Sequence, residues 1–243
     1  RFAEQLKSPA LVTVVLLHVV YLSFRTAAFD HPPVTTVFEI MTVLAACISV
    51  AYTYIELRTR STSTGFFVLS LAFVFQTVSS IFIKDLVDIP EILRSRLLGF
   101  HVSSALLGYT AISLSAVYGF LYLLLYREIK SSQLGIIYSR LPNLETLEKM
   151  SHKSEAFGFI MLTVAIMIGL FWLPMAFEEF SYLDPKLVGT LVIWLLYGGA
   201  IVAKRLLRWQ GRKTMILAIV AFSTVILSMT VINVYWSSFH SFH

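Results

Sequence analysis

Six side chains in this sequence are suited to transition-metal chemistry, the histidines His18, His31, His101, His152, His240 and His243. Imidazole is a good ligand for iron and other first-row metals. The sulfur chemistry that often accompanies it is missing. A single cysteine, Cys47, stands inside an apolar run, which excludes a disulfide framework, a Cys-x-x-Cys redox pair and a thiolate zinc site. The chain also carries no Gly-rich phosphate loop and no His-Glu-x-x-His motif. Taken singly, His31 and His152 read as solvated loop residues, and His243 is the last residue. His18 differs, because it sits within an apolar run, where an ionisable group is expensive and by default a functional hypothesis. A buried hydrogen bond is the competing reading. His101 and His240 both stand at the edges of apolar runs.

The elements that must hold these residues are membrane helices. The chain has 243 residues, 57% hydrophobic and only 14% charged, whereas an ordinary soluble domain is about 25% charged. Its mean hydropathy is +0.78. A hydrocarbon core about 30 Å thick needs around 20 apolar residues per helix. Seven such runs are legible, at 9–24 (extending towards 29), 35–57, 64–83, 97–126, 155–177, 187–203 and 214–236. They lack the short alternating segments of a membrane barrel. The expected fold class is an all-α polytopic bundle of about seven transmembrane helices forming one membrane domain over 1–243.

Charge orients it. The net charge is +5, but the basic residues flank apolar runs, so they indicate topology and no nucleic-acid partner. One set of connections holds Arg1, Lys7, Arg58, Arg60, Arg127, Lys130, Arg140, Lys149, Lys153, Lys204, Arg205, Arg208, Arg212 and Lys213. The other holds Arg25, Lys84, Arg94, Arg96 and Lys186. Cytoplasmic loops carry the Lys/Arg excess, which predicts the N-terminus inside and the C-terminus outside. Asp30, Asp85, Asp88, Glu91, Glu178, Glu179 and Asp184 then fall outside. His101 and His240 share that outer surface, with His31 in an outer loop and His152 in the basic inner loop. Glu39 and Glu155 are placed at helix ends, where hydration is cheap.

The residues around His101 carry a family signature. Residues 89–109 read Ile-Pro-Glu-Ile-Leu-Arg-Ser-Arg-Leu-Leu-Gly-Phe-His-Val-Ser-Ser-Ala-Leu-Leu-Gly-Tyr. This resembles the cytochrome c assembly proteins of the CcsA type, where Pro-x-x-Leu-x-Ser leads into His-Val-Ser-x-Ala-x-Leu-Gly-Tyr. Val37-Phe38-Glu39 is similar to a Tyr-Glu segment of that family, and Leu141-Pro142-Asn143-Leu144-Glu145 to its inner loop. Residues 156–163 with Gly169 and Trp172, then Asp184-Pro185-Lys186 and Ile193-Trp194-Leu195, resemble the two spans that follow. Phe239-His240-Ser241-Phe242 sits where the family has Leu-His-Ser-Tyr. The resemblance runs in order over residues 35–243.

It implies a protein that binds or presents b-type haem on the extracytoplasmic side of a bacterial-type inner membrane, with His101 and His240 as axial ligands. Haem iron is commonly held by axial imidazoles, and a flat apolar macrocycle needs aromatic walls with a few polar groups. Candidate walls are Phe100, Phe180, Tyr182, Trp236 and Phe239, and candidate propionate partners are Arg94, Arg96 and Lys186. The family's Trp-rich loop is not retained. Residues 178–187 read Glu-Glu-Phe-Ser-Tyr-Leu-Asp-Pro-Lys-Leu, keeping Asp184, Pro185 and Lys186 but no tryptophan, which is closer to HemX-like relatives. That loop is expected to act as a lid or partner surface. The family's second intramembrane histidine falls at about Val202. His18 is therefore weighed between an intramembrane haem ligand and a hydrogen bond to a Ser, Thr or Tyr on a neighbouring helix.

The implied partners are lipid, haem, a membrane partner subunit and apocytochrome c. The chain reads as a component of a haem lyase system rather than an enzyme by itself, since no nucleophile, base or metal cluster faces an evident pocket. Two alternatives remain open, a HemX-like regulator or scaffold without bound haem and a haem- or quinone-linked electron-transfer subunit.

Overall fold

The computed structural model describes residues 2–84, 95–132, 135–176 and 181–228, except for the side chains of residues 2–6, 136, 137 and 186. The described residues form eight α-helices and no strand: α1 (Phe2–Phe29), α2 (Val37–Thr59), α3 (Gly65–Phe82), α4 (Arg96–Lys130), α5 (Ile136–Arg140), α6 (Leu144–Ala176), α7 (Pro185–Leu206) and α8 (Arg212–Leu227). Among them, α1, α2, α3, α4, α6 and α7 are long and apolar enough to cross a membrane. The 16 described residues of α8 rise about 24 Å at 1.5 Å per residue; the rest of the expected span at 214–236 lies outside the described residues. The protein is an all-helical polytopic membrane protein. Its lipid-facing character shows in the large apolar side chains left uncovered, among them Leu16, Leu17, Phe66, Phe73 and Met167. Water would penalise them, whereas hydrocarbon is as apolar as they are.

The chain forms two compact units, Arg1–Ser95 and Arg96–His243. In the first, the start of α2 is set by a capping box. Thr36 Oγ accepts from the Glu39 amide at 3.1 Å, and Glu39 Oε2 accepts from the Thr36 amide at 3.3 Å, satisfying two amides that the first helical turn leaves open. Glu39 does more than cap. It also accepts from the Thr35 amide and hydroxyl at 2.9 and 2.6 Å and from Arg25 of α1 at 2.9 and 3.0 Å. The expected hydrated carboxylate at a helix end is thus corrected to a buried one, because a charge removed from water must be matched by donors. Deeper in the unit, Thr42 donates to Ser79 Oγ at 2.6 Å, and Ser79 donates to the Phe38 carbonyl at 2.6 Å. These bonds join α2 to α3 where hydrocarbon offers no other partner.

In the second unit α4 is apolar or small on all sides and is the most enclosed helix. A helix without a polar stripe belongs inside a bundle. Ile112 of α4 packs with Leu162 of α6, Ile193 and Tyr197 of α7, and Ala221 and Val225 of α8. Close contact between α4 and α6 depends on Gly158, where a Cβ would stand 2.8 Å from Ile112 Cγ1 and 3.1 Å from the Gly108 carbonyl. Ser151 seals the same interface by donating to the Ser115 carbonyl at 2.9 Å. Helix α6 starts well before the expected 155, with Asn143 capping the Thr146 amide at 2.8 Å. Its first turns are polar, so hydropathy alone assigned them to a loop.

That extension corrects two readings. His152 is a buried helical residue, 8% exposed, with Nδ1 3.1 Å from Glu155 Oε2 and Nε2 3.5 Å from Glu148 Oε1. Positions 148, 152 and 155 share one helical face, and both His152 and Glu155 lie within the bundle rather than in solvent. His31 is likewise buried, at 3%. Its ring stands 6.1 Å from that of Phe29, and Nδ1 is 3.0 Å from the Pro32 carbonyl.

Candidate functional site

His101 lies in the second turn of α4, five residues after Arg96, and its ring is directed onto α6. Nδ1 stands 2.8 Å from the Ala165 carbonyl oxygen. A carbonyl can only accept, so Nδ1 carries the proton and donates it. In the neutral ring the Nε2 lone pair is then available, and among the described residues Nε2 has no hydrogen-bond partner. This is the arrangement that metal-ligating histidines commonly use, one nitrogen donating to a carbonyl so that tautomer and ring orientation are both set. The ring is held tightly as well. A Cβ at Gly169 would stand 2.9 Å from both Cε1 and Nδ1 of His101, so glycine is the residue that lets the ring lie flush on α6. The exposed ring of Phe100 adjoins it in the chain.

The other residues singled out for this site divide sharply. Arg96 is exposed on the first turn of α4, and Tyr182 is exposed on the turn before α7. Asp184 is buried, and its carbonyl accepts from the Val188 amide at 3.0 Å, so that Pro185 opens α7, a position where its missing N–H costs nothing. Lys186 is on the first turn of α7, with its side chain outside the described residues. His240, Arg94, Phe180, Trp236 and Phe239 also lie outside the described residues, as does the part of the 178–186 loop before Ser181.

His18 belongs to the first unit. Its Nδ1 is 2.9 Å from the Val14 carbonyl and its Nε2 is 3.3 Å from the Gln76 side-chain amide of α3. The expected hydrogen bond to a neighbouring helix is present, but its partner is glutamine rather than Ser, Thr or Tyr. With Nδ1–H given to Val14, a neutral His18 accepts at Nε2. Gln76 then turns its NH2 to the ring and its oxygen to the Ser80 hydroxyl, which lies 3.1 Å from the amide; oxygen and nitrogen of such an amide are interchangeable in shape. His18 and Gln76 line a cleft of about 420 Å³ with Val14, Leu17, Tyr21, Thr42, Ser79, Ser80 and Ile83.

Sequence reasoning missed Gln76, Ala165 and the face formed by Glu148, His152 and Glu155. Gln76 could have been found as a lone amide in an apolar run. Ala165 acts through its backbone and leaves no side-chain signal. Among the described residues no group of three His, Cys, Asp or Glu side chains is disposed to hold a metal ion.

Comparison with known proteins agrees with this architecture. The family model described as Cytochrome C assembly protein matches residues 34–240. A protein named cytochrome c biogenesis protein CcsA from Heterosigma akashiwo is 24% identical over 91% of this chain and 80% of its own length. Its namesake from Prochlorococcus marinus is 26% identical over 95% of this chain and 82% of its own. Protein HemX of Bacillus subtilis is 31% identical over 120 residues, 49% of this chain and 44% of its own length. With a match that spans most of its length and an all-helical membrane fold, the chain belongs to the cytochrome c assembly protein family.

Proposed function

We propose that this protein handles haem in cytochrome c biogenesis, holding haem b at the extracytoplasmic membrane surface between His101 and His240. The observation that carries this reading is the His101 ring, whose Nδ1–H is engaged by the Ala165 carbonyl at 2.8 Å and whose Nε2 is thereby prepared to bind iron. Haem bound here would be the group passed intact, iron and macrocycle together, to an apocytochrome. The chain's own task is to fix one imidazole by its second nitrogen and to provide apolar walls, Phe100 among them. Arg96, Arg94 and Lys186 are the candidate partners of the propionates. Tyr182, Phe180 and Trp236 remain candidate walls.

The side assignment rests on charge. At one end of the second unit, where α4 and α7 finish and α6 and α8 begin, stand Arg127, Lys130, Arg140, Lys149, Lys153, Lys204, Arg205, Arg208, Arg212 and Lys213. His101 is at the opposite end, and the positive-inside rule makes that the outer one. The same reading takes α8 through to a seventh span with the N-terminus inside, in a bacterial-type inner membrane. It includes a membrane partner subunit and an apocytochrome c that accepts haem. His18 serves a structural role here, consistent with its bond to Gln76.

A second reading has an observation of its own. The loop before α7 lacks tryptophan and local identity is higher to HemX, which favours a scaffold or regulator in which haem binding has been lost. Absorption spectroscopy of the purified protein with a pyridine haemochrome assay separates the two. Stoichiometric haem b, lost or changed in spin state in His101→Ala and His240→Ala, supports the haem-handling role. No haem retained and none taken up on titration refutes it and leaves the scaffold.

A further inference from the structure

The turn between α7 and α8 is a fixed structure, not a slack connection. The Leu207 and Trp209 amides both donate to the Ala203 carbonyl, at 3.0 and 3.3 Å. Arg208 takes a left-handed φ of 52°, and Gly211, at φ 62°, donates its amide to Glu148 Oε1 of α6 at 2.7 Å. A Cβ on Gly211 would stand 2.8 Å from the Tyr122 hydroxyl, so conformation and space both select glycine there. The turn is thereby tied to α4 and α6.

What it presents is unusual for a surface. Arg205, Arg208, Arg212 and Lys213 are exposed, and none forms an ion pair with a described residue. Glu148 of α6, which meets the turn at Gly211, is engaged by Gly211 and His152. Among these cations stand Leu206 and Leu207, 75% and 61% exposed, and Trp209, whose ring centroid lies 5.8 Å from the Lys213 ammonium. Since α7 is long and apolar enough to cross a membrane and ends at Leu206, this turn falls at the level of the headgroups. Two exposed leucines and a tryptophan there seek the acyl boundary, where Trp is favoured, while four unpaired cations seek phosphate. An acidic protein surface would satisfy the cations but leave the leucines facing a polar partner.

We propose that the α7–α8 turn is a binding site for anionic phospholipid, its headgroup phosphate drawn by Arg205, Arg208, Arg212 and Lys213 and its acyl chains resting on Leu206, Leu207 and Trp209. Occupancy ties the basic ends of α6, α7 and α8 to one leaflet through the Gly211–Glu148 bond. Each cation near an anionic surface contributes about a five-fold gain in binding (about 1 kcal/mol).

The test uses the whole chain reconstituted in phosphatidylcholine bilayers containing phosphatidylglycerol, with bromine on the acyl chains of one lipid or the other. The quenching of Trp209, obtained by subtracting the Trp209→Phe variant, reports which lipid occupies the turn. The expected result is stronger quenching by brominated phosphatidylglycerol, with a preference that falls at least about five-fold in R208Q/K213Q. The preference should survive in K149Q/K153Q, which removes two exposed lysines of α6 at the same end. Should R208Q/K213Q not fold, a salt titration of the wild type reads the same interaction, since screening shortens from about 10 Å at 0.1 M to about 3 Å at 1 M. Equal quenching by the two lipids, a preference indifferent to both R208Q/K213Q and salt, or an equal loss in K149Q/K153Q would overturn the proposal.

Discussion

Replacing Gly169 by alanine tests the candidate iron ligand without touching the imidazole. The added Cβ would meet His101 Cε1 and Nδ1 at 2.9 Å, against a comfortable separation of about 3.5–4.0 Å between carbon atoms. The ring must retreat by at least about 0.6 Å to reach that optimum, because the same face of α6 is already packed closely on α4 at Gly158, against Ile112 and the Gly108 carbonyl. A retreat of that size takes the Nδ1 to Ala165 contact from 2.8 Å to beyond the usual limit of about 3.2 Å. Loss of an outer hydrogen bond to a ligating histidine costs about 10–100-fold in affinity. Overpacking itself costs roughly 1–3 kcal/mol, so a thermal melt of the same preparation must show the variant still folded. Haem titration followed in the Soret region is the assay. Gly169→Ala should weaken haem binding by at least about tenfold, and adding it to His101→Ala should cause no further loss. Wild-type affinity and spectrum in a folded Gly169→Ala protein would refute the view that His101 is a ligand positioned by α6.

Three other outcomes follow from the packing. Glu39→Gln should destabilise the protein by about 3–5 kcal/mol, the range for breaking a buried ion pair by neutralising one member; thermal unfolding in detergent measures this, and Arg25→Gln in the same chain should recover part of the loss. Ser151→Ala removes a bond between α6 and α4 and should cost about 0.6–2 kcal/mol, the range for polar contacts between membrane helices, read from the same melts. His18→Ala should leave haem stoichiometry unchanged while loosening α1 from α3, detectable as faster hydrogen exchange in α1. Two haems per wild-type chain, one of them lost in His18→Ala, would instead assign His18 to iron.

Much of this protein is legible in one dimension. Uninterrupted apolar runs near the thickness of a bilayer pair their backbone groups as helices, since barrel strands are shorter and alternating, so α1, α2, α3, α4, α6 and α7 follow from hydropathy. The clustering of Lys and Arg at alternate connections is equally local, and the residues around His101 carry the family pattern in order. What sequence could not supply is which polar groups meet. The polar first turns of α6 resemble a loop by hydropathy, yet packing on α4 makes them helix and buries His152 and Glu155 there. Glu39 looks hydrated at a helix start until Arg25, fourteen residues earlier, folds back onto it. His18 requires a partner by its position, but only tertiary contact selects Gln76, at a separation of 58 residues. The His101 tautomer depends on a backbone carbonyl 64 residues away. Every residue carries such a carbonyl, so no side-chain pattern could single out Ala165, and only the crossing of α4 and α6 does.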